Sequence, residues 1–210
     1  MSAITRICLV RHGETLWNTE RRIQGQIDIA LNQHGLRQAR AAGEFLRDES
    51  ATALYSSDLS RAWATAHALA ESTGLMANAM PALRERQYGV FEGLTYDEAK
   101  VAHPDIYARF ESREPGFAVP GGESLEDISR RVISALGGLA DKHRGETVLV
   151  VTHGGVLDVV NRFVRGLPLV TPRDFAIPNA GLNWVSRVGP QWQLDEWAIT
   201  AHLERALDEL

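Results

Sequence analysis

The sequence predicts an α/β sandwich in which helices cover both faces of a mostly parallel sheet. Three short apolar runs, at residues 7–10, 53–57 and 147–152, are typical of buried strands, since strands covered on both faces show continuous apolar residues. Segments with helical spacing lie between and after these runs, and such alternation is typical of α/β folds. We therefore expect a three-layer α/β/α sandwich.

Four amphipathic segments predict the helices of this sandwich. Asn32 and Ser124 precede the first and third of them, and Ser57 and Asp58 precede the second. All four are residue types that cap helix N-termini. The predicted helices span residues 35–48, 59–72, 125–143 and 156–164.

The end of the chain adds smaller elements. Residues 182–188 and 192–199 flank a Gly-Pro pair and predict a hairpin that adds outer strands to the sheet. Leu203, Leu207 and Leu210 recur at helical spacing and predict a short terminal helix. An exposed outer strand of this kind could support a homodimer.

Residues 87–123 differ from the rest of the chain. They are rich in aromatic residues and contain two Pro-Gly turns, at residues 115–116 and 120–122. We interpret them as an inserted lobe with a short helix near residues 96–101 and a mobile turn, as in many lids, although a packed surface excursion is the alternative. A length of 210 residues favours one domain, 1–210, with this insertion over two domains.

Charge and cysteine content exclude several classes of function. With 22 Lys and Arg against 27 Asp and Glu, the net charge of −5 argues against nucleic acid and anionic membranes as partners. Cys8 is the only cysteine, so neither an intrachain disulfide nor a multi-cysteine zinc site is available, and we expect it to pack in a strand. Without a signal-peptide pattern or a long apolar run, we expect a cytoplasmic protein.

Unusual residues stand where the predicted strands end. Arg11 and His12 follow the first strand, and His153 follows the third. Arg61 lies in the first turn of the helix after the second strand. Because ligands bind at the carboxyl edge of parallel α/β sheets, neighbouring strands would bring these four side chains together.

These residue types suit a phosphoryl group. Guanidiniums are forked donors that match phosphate oxygens, and amides near Gly154, at a helix start, add positive potential. One histidine could attack phosphorus through a neutral ring nitrogen while the other holds the oxygens. A carboxylic acid is then needed to protonate the leaving alkoxide.

Two other interpretations compete with phosphoryl transfer. His12, His153 and Glu14 could bind a metal ion, but the nearby arginines would oppose a divalent cation. Both histidines could instead be hydrogen-bonded core residues, which leaves unexplained why each ends an apolar strand beside glycine.

Short motifs run along nearly the whole chain in a recognisable order. They are Leu9-Val10-Arg11-His12-Gly13-Glu14-Thr15, Asn18, Gln24-Gly25, Leu31-Asn32-Gln33-His34-Gly35, Gln38-Ala39, Ser56-Ser57-Asp58-Leu59-Ser60-Arg61-Ala62, Thr65-Ala66, Leu83-Arg84-Glu85, Gly89, Glu92-Gly93, Pro120-Gly121-Gly122-Glu123-Ser124 and Val151-Thr152-His153-Gly154-Gly155. In these motifs the sequence resembles the histidine phosphatase superfamily, which includes the cofactor-dependent phosphoglycerate mutases. The resemblance implies a phosphoglycerate mutase-like fold.

The resemblance also implies roles for the matching residues. His12 would be phosphorylated in a covalent intermediate. Arg11, Arg61 and His153 would hold the transferred phosphoryl group. Glu85 would protonate the leaving oxygen and then activate water, and no metal would be needed. The residues expected to line the substrate pocket are Asn18, Gln24, Gly154, Arg86 and Tyr88.

Details of the sequence bear on whether water or a sugar acid accepts the phosphoryl group. Arg86 and Tyr88 resemble the mutase pattern. However, Tyr96 stands where the mutases carry a lysine, and Arg109 and Arg113 are separated rather than an adjacent pair. The lobe is also shorter than in the mutases, which favours the phosphatase branch.

We therefore expect a metal-independent phosphomonoester hydrolase that acts on a small phosphorylated metabolite through a phosphohistidine intermediate and needs no cofactor. The first alternative is a phosphoglycerate mutase primed by 2,3-bisphosphoglycerate, and the second is a non-catalytic phosphoester-binding protein. The aromatic residues of the lobe favour a partly apolar leaving group, unless they form the core of the lobe itself.

Overall fold

The computed structural model describes residues 3–205, so Leu207 and Leu210 of the predicted terminal helix lie outside the described residues. The strands are β1 (Ile4–Arg11), β2 (Ala51–Ser56), β3 (Ala77–Ala79), β4 (Thr147–Thr152), β5 (Leu182–Val188) and β6 (Gln191–Ile199). The helices are α1 (Leu16–Thr19), α2 (Gln33–Leu46), α3 (Ser60–Thr73), α4 (Tyr96–Ala102), α5 (Pro104–Glu111), α6 (Leu125–Lys142), α7 (Gly154–Arg165) and α8 (Ala201–Arg205). Within residues 3–205, none of the helices combines the length and the apolar content that crossing a bilayer requires.

The six strands form one sheet in the order β3-β2-β4-β1-β5-β6. β1 and β2 pair with β4 in parallel, and β3 pairs with β2 in parallel. β5 is antiparallel to β1, and β6 is antiparallel to β5, as the predicted outer hairpin requires. The carboxyl ends of β1, β2 and β4 therefore meet at one edge of the sheet.

Helices cover both faces of the sheet, which confirms the predicted three-layer sandwich. On one face, Leu46 of α2 and Leu69 of α3 pack over Cys8. On the other face, Leu136 of α6 packs over Leu9. Cys8 is fully buried, and this burial raises the pKa of its thiol. Successive residues of β1 thus face opposite apolar layers, which explains its continuous apolar run.

Some elements differ from the sequence prediction. The edge strand β3 was not predicted, because three residues centred on Asn78 form no apolar run. α5 was also not predicted; it begins at Pro104, a residue that suits the first turn of a helix. The third predicted helix begins at residue 125 as expected, and the other ends of the four predicted helices shift by one or two residues.

The start of α3 is capped from a distant loop, so the prediction of a cap from Ser57 or Asp58 was wrong. The carboxylate of Asp28 accepts hydrogen bonds from the backbone N–H and the hydroxyl of Ser60, at 2.8 and 2.7 Å. Asp58 instead accepts two hydrogen bonds from the guanidinium of Arg84. A loop that precedes α2 therefore determines where α3 begins.

The segment at residues 87–123 has a small apolar core of its own. Phe91 is fully buried and packs with Ala99 and Val119. Phe110 meets Phe91 edge-on, with ring centroids 5.5 Å apart. α4 lies where the short helix of the lobe was predicted. Most aromatic residues of the lobe therefore pack against each other, whereas mobility of its Pro-Gly-Gly turn stays a prediction.

The loop after β1 packs on α2 through two glycines. A Cβ built on Gly13 would lie 2.4 Å from the carbonyl oxygen of Gly35, and one on Gly35 would lie 2.1 Å from that of Glu14. Both distances are far below any real contact. The backbone after His12 can therefore approach the start of α2 only because neither position carries a side chain.

Gly35→Ala is expected to destabilise the protein by about 1–3 kcal/mol, because its methyl group forces the two backbones apart. Gly138→Ala is the matched control: no atom lies within 4 Å of its built Cβ, and it is inside α6. The Gly138→Ala substitution should raise the free energy of unfolding by about 0.5–1 kcal/mol. Urea unfolding of both variants measures the effects, and equal free energies of unfolding would contradict the proposed close approach.

Candidate active site

A cavity of about 150 Å³ opens at the carboxyl edge of β1 and β4. The residues that line it are Arg11, His12, Asn18, Arg22, Ile23, Gln24, Gly25, Arg61, Glu85, Tyr88, Tyr96, Gly154, Gly155, Arg173 and Ile177. Four arginines and one glutamate among them make the cavity strongly positive. Such a site selects an anionic ligand.

His12 continues the ladder of β1, and its ring nitrogen Nε2 has no hydrogen-bond partner within residues 3–205. Its backbone N–H donates to the carbonyl of Thr152 at 2.9 Å. Nδ1 lies 2.7 Å from the carbonyl oxygen of Gly13, which can only accept, so Nδ1 carries the proton of the neutral ring. The pKa of His12 is well below its ordinary value, because the ring is buried and Arg61 and Arg11 are close. Nε2 therefore has a free lone pair.

His153 lies beside His12, with ring centroids 5.2 Å apart. It occupies the N-cap position of α7 and is fully buried. Nε2 is 2.7 Å from the hydroxyl oxygen of Ser57, whereas Nδ1 has no partner among the described residues. Burial and the charge of Arg61 keep the pKa of His153 well below its ordinary value. If the Ser57 hydroxyl donates to Nε2, the neutral ring carries its proton on Nδ1.

Backbone carbonyls hold the guanidinium groups of Arg61 and Arg11 in place, and the Nε donor of each takes no part in these bonds. Arg61 donates to the carbonyl of Gly25 at 2.7 Å and to that of Ile27 at 3.0 Å. Arg11 donates to the carbonyl of Ile177 at 2.6 Å. The Nε atoms of both arginines are buried and have no partner among residues 3–205. Buried donors without partners are rare in proteins, so these two are suited to an absent anion.

Glu85 lies against the N-terminus of α7. Both of its carboxylate oxygens are 3.0 Å from the N–H of Gly155, and one accepts from the N–H of Arg86 at 2.7 Å. A Cβ on Gly155 would lie 2.2 Å from Glu85, so only glycine permits this approach. Burial lowers the pKa values of Arg11 and Arg61, and the nearby negative charge of Glu85 acts in the opposite direction. The helix amide of Gly155 thus binds Glu85 rather than a ligand.

The remaining sequence-predicted site residues divide into two groups. Asn18, Gln24, Tyr88 and Gly154 line the cavity, and the amide oxygen of Gln24 has no partner within the described part of the chain. Arg86 does not line it. The Arg86 side chain turns towards the lobe, where its Nε donates to a backbone carbonyl at 2.9 Å.

A second cavity, of about 240 Å³, adjoins the first. It shares Tyr88, Tyr96, Gly155 and Arg173 with the first cavity. Its other lining residues are Arg86, Phe110, Glu111, Arg113, Leu125, Ile128 and Asp158. A ligand larger than a phosphoryl group would extend into it.

The metal interpretation of His12, His153 and Glu14 has no support from the geometry. One carboxylate oxygen of Glu14 accepts a hydrogen bond from the side-chain amide of Asn32 at 2.8 Å. Among the residues that the structure describes, no three His, Cys, Asp or Glu side chains are grouped in a way that could hold a metal ion.

Several residues that position the site were not assigned from sequence. Thr65 accepts a hydrogen bond from the N–H of Gly13 at 3.1 Å, and Asn179 donates to the carbonyl of His12 at 3.0 Å. Ser57 and Thr65 belong to the motifs that resemble the superfamily, so the sequence did indicate that their positions matter for the site. Asn179 and Arg173 lie in the irregular segment after α7, where no pattern in the sequence pointed to them.

Comparison with known proteins identifies the family. The family model described as "Histidine phosphatase superfamily (branch 1)" matches residues 7–200. The chain belongs to this superfamily. The predicted resemblance is therefore confirmed, and with it the phosphoglycerate mutase-like fold.

Relatives within the histidine phosphatase superfamily include both phosphatases and mutase-like proteins. The chain is 41% identical to a metal-independent phosphoserine phosphatase of Arabidopsis thaliana over 207 residues, 96% of this chain and 84% of that protein. It is 36% identical over 211 residues to a probable phosphoglycerate mutase, GpmB, of Yersinia pestis, covering 98% of both. A mycobacterial glucosyl-3-phosphoglycerate phosphatase has a similar structure, with a TM-score of 0.84 and 32% identity over 94% of this chain and all of that one. The prediction of a phosphatase-type enzyme is confirmed.

His12 and His153 of this histidine phosphatase are expected to stay neutral in the folded protein at pH 6. Unfolded histidine titrates near pH ~6.5, and the folded rings titrate lower, so unfolding takes up protons below that pH. The stability that the neutral rings contribute is therefore present above about pH 6.5 and decreases as the pH falls.

Nitrogen NMR of histidine-labelled protein between pH 5.5 and 8 measures these ionisations directly, with His12→Asn and His153→Asn used only for assignment. We expect His12 to show the tautomer protonated on Nδ1 throughout. A doubly protonated His12 ring at pH 6 would contradict the assignment.

Proposed function

We propose that the chain hydrolyses a small phosphomonoester through a phosphohistidine formed on His12, without a metal ion. The observation that carries this proposal is the bare Nε2 of a neutral, buried His12 in a cavity with four arginines and a single carboxyl group, that of Glu85. We also propose that one domain, 1–210, contains the whole site.

In the first step, the Nε2 lone pair attacks phosphorus and the bond from phosphorus to the ester oxygen breaks. Arg11 and Arg61 donate from their unpartnered Nε atoms to the phosphoryl oxygens, and His153 donates from Nδ1. These donors are buried and already oriented, so they stabilise the transferring group without rearrangement. Glu85 takes up a proton when the phosphomonoester binds, and it gives this proton to the leaving alkoxide.

In the second step, the Glu85 carboxylate takes a proton from water while the water oxygen attacks phosphorus. The bond between nitrogen and phosphorus breaks, and its electron pair returns to Nε2 of His12. Asn18, Gln24 and Gly154 line the space in which the phosphoryl group is held. The net reaction is hydrolysis, and every group returns to its starting state.

Two observations favour water over a sugar acid as the acceptor. Arg109 pairs with Glu114 on the exposed side of the lobe and lines neither cavity. Tyr96 lines both cavities, so the position where the mutases carry a lysine has no positive charge. A phosphoglycerate mutase primed by 2,3-bisphosphoglycerate is the second candidate, because a relative is named as a probable mutase.

The remaining proposals concern cofactor, compartment and assembly. The phosphatase reaction needs no cofactor, and 2,3-bisphosphoglycerate would be required only by the mutase. A cytoplasmic location stays a prediction, and the single cysteine, which is buried, agrees with it. A homodimer stays a prediction.

Phosphorus NMR tests the proposed function. The protein is incubated, with a chelator present, with a panel of phosphomonoesters that includes phosphoserine. In a parallel sample the substrate is 3-phosphoglycerate, to which a trace of 2,3-bisphosphoglycerate is added. We expect inorganic phosphate, and His12→Ala should lower its formation at least about a thousandfold. His67→Ala, an exposed histidine on α3, is the matched control and should keep full activity. Formation of 2-phosphoglycerate without phosphate would establish the mutase, and phosphate-analogue binding without turnover would establish a binding protein.

Glu85→Gln separates the acid role from simple packing. Glutamine keeps the shape but has no carboxyl proton, so kcat/KM for an alkyl phosphate should fall by about 10²–10⁴. The value for p-nitrophenyl phosphate should fall much less, because nitrophenolate leaves without protonation. kcat/KM is the right measure because it covers only the steps through transfer to His12. Glu126→Gln, at an exposed position of α6, is the control, and equal losses on both substrates would remove the acid role.

A further inference from the structure

A turn at residues 178–181 lies against the backbone that carries the candidate nucleophile. The side-chain amide nitrogen of Asn179 is 3.0 Å from the carbonyl oxygen of His12 and 3.3 Å from that of Gly13. The backbone N–H of Ala180 also donates to the His12 carbonyl, at 3.3 Å. The turn therefore holds two successive carbonyl groups, and the second of them accepts the Nδ1 proton of His12.

This turn is strained at Ala180. The N–H of Gly181 donates to the carbonyl of Pro178 at 3.1 Å, which closes the turn. Ala180 has a φ of 53°, in the left-handed region that favours glycine and costs free energy for a residue with a Cβ. A strained conformation of this kind persists only where neighbouring groups hold it. The contacts of Ala180 therefore decide whether the turn keeps its shape.

His202 binds the other backbone group of Ala180. Ile199 at the end of β6 pairs with Leu182 at the start of β5, so the chain that follows β6 returns to the turn that precedes β5. There, in α8, Nε2 of His202 lies 2.9 Å from the carbonyl oxygen of Ala180. A carbonyl can only accept, so Nε2 carries the proton of the neutral ring. Ala180 is thus bonded to the site through its N–H and to α8 through its carbonyl.

The polar ring of His202 is costly to bury. The residue is 3% exposed, and its Nδ1 has no partner among residues 3–205. The ring packs near Phe45 of α2, with ring centroids 5.4 Å apart, and an apolar side chain would pack there without an unpaired nitrogen. Within the described part of the chain, only the bond to Ala180 uses the N–H of this ring. That bond is therefore the feature that distinguishes a histidine from an apolar residue at this position.

We propose that His202 is a positioning residue for phosphoryl transfer. Its bond to Ala180 keeps the 178–181 turn in its strained shape, and this turn fixes the carbonyl groups of His12 and Gly13. The ring of His12 is oriented through the Gly13 carbonyl, so a looser turn lets Nε2 of His12 move out of line with phosphorus. The kinetic consequence rests on the proposed function, whereas the effect on the hydrogen bond of His12 does not.

Two amide substitutions separate the hydrogen bond of His202 from its bulk. The side-chain N–H of His202→Gln has about the reach of Nε2 and still donates to Ala180, whereas the shorter amide of His202→Asn ends near the position of Nδ1. We expect His202→Asn to lower kcat/KM for a phosphomonoester about tenfold, and His202→Gln to keep about half of the unaltered value or more. Phe45→Leu loosens the packing around the ring and leaves the hydrogen bond, so it is the control and should keep full kcat/KM.

The kinetic comparison is made well below the melting temperature of every variant, so that unfolded protein does not contribute. If His202→Asn does not fold, His202→Phe replaces it in the comparison with His202→Gln, because phenylalanine fills the same space and lacks the donor.

The ring proton of His12 provides a measurement that does not depend on turnover. This proton, on Nδ1, is bonded to the carbonyl of Gly13 and exchanges with water only when that bond opens. Proton NMR should show exchange about fivefold faster in His202→Asn than in His202→Gln or Phe45→Leu. If the unaltered protein hydrolyses no phosphomonoester but this exchange still depends on His202, the proposed function fails and the positioning role stands.

Ala180→Gly tests whether His202 acts by holding the strained turn. Glycine adopts the left-handed conformation without the cost that alanine has, so the turn should depend less on the bond from His202. We expect the loss of kcat/KM caused by His202→Asn to be about threefold smaller in the Ala180→Gly protein than in the unaltered one.

Three outcomes would overturn the positioning role and leave the proposed function intact. The first is an equal kcat/KM in His202→Gln and His202→Asn, whether both values are full or both are reduced. The second is the same exchange rate of the His12 ring proton in His202→Asn and the unaltered protein. The third is the same fractional loss from His202→Asn with and without Ala180→Gly.

Discussion

The backbone of Gly13 is the point on which the site depends. Its carbonyl accepts the Nδ1 proton of His12, which leaves Nε2 bare, and its amide donates to Thr65. Asn179 lies within hydrogen-bond distance of the same carbonyl. Because Gly13 and Gly35 lack side chains, this stretch of backbone lies directly on the start of α2. The reactive nitrogen is thus oriented by main-chain geometry, which is stiffer than a side-chain contact.

Burial of several positive groups without a ligand is costly, and the fold offsets this cost in two ways. Backbone carbonyls take some of the guanidinium donors of Arg61 and Arg11, and Glu85 supplies one negative charge. The two histidines avoid the cost by staying neutral. What remains is a set of unpartnered donors, and an oxyanion satisfies them better than water does.

The sequence predicted the layers, the three central strands and the four long helices because their apolar patterns come from burial on both faces of one sheet. It did not predict β3, whose three residues carry no pattern, or the cap of α3, which Asp28 supplies from a distant loop. The helix start at Gly154 shows another limit: its amides were expected to add positive potential for a phosphoryl group, but the amide of Gly155 binds Glu85. Contacts between residues far apart in the chain leave no periodic signal.

By itself, the sequence determined the fold class, the superfamily and the convergence of Arg11, His12, Arg61 and His153, since residues at the ends of neighbouring parallel strands must meet at one edge. Only the tertiary structure decided the tautomer of His12 and the separation of Arg86 from the first cavity. It also brought Arg173 from an irregular loop to Asp158. Those features depend on where side chains meet in space, and irregular loops carry no periodicity from which such meetings can be inferred.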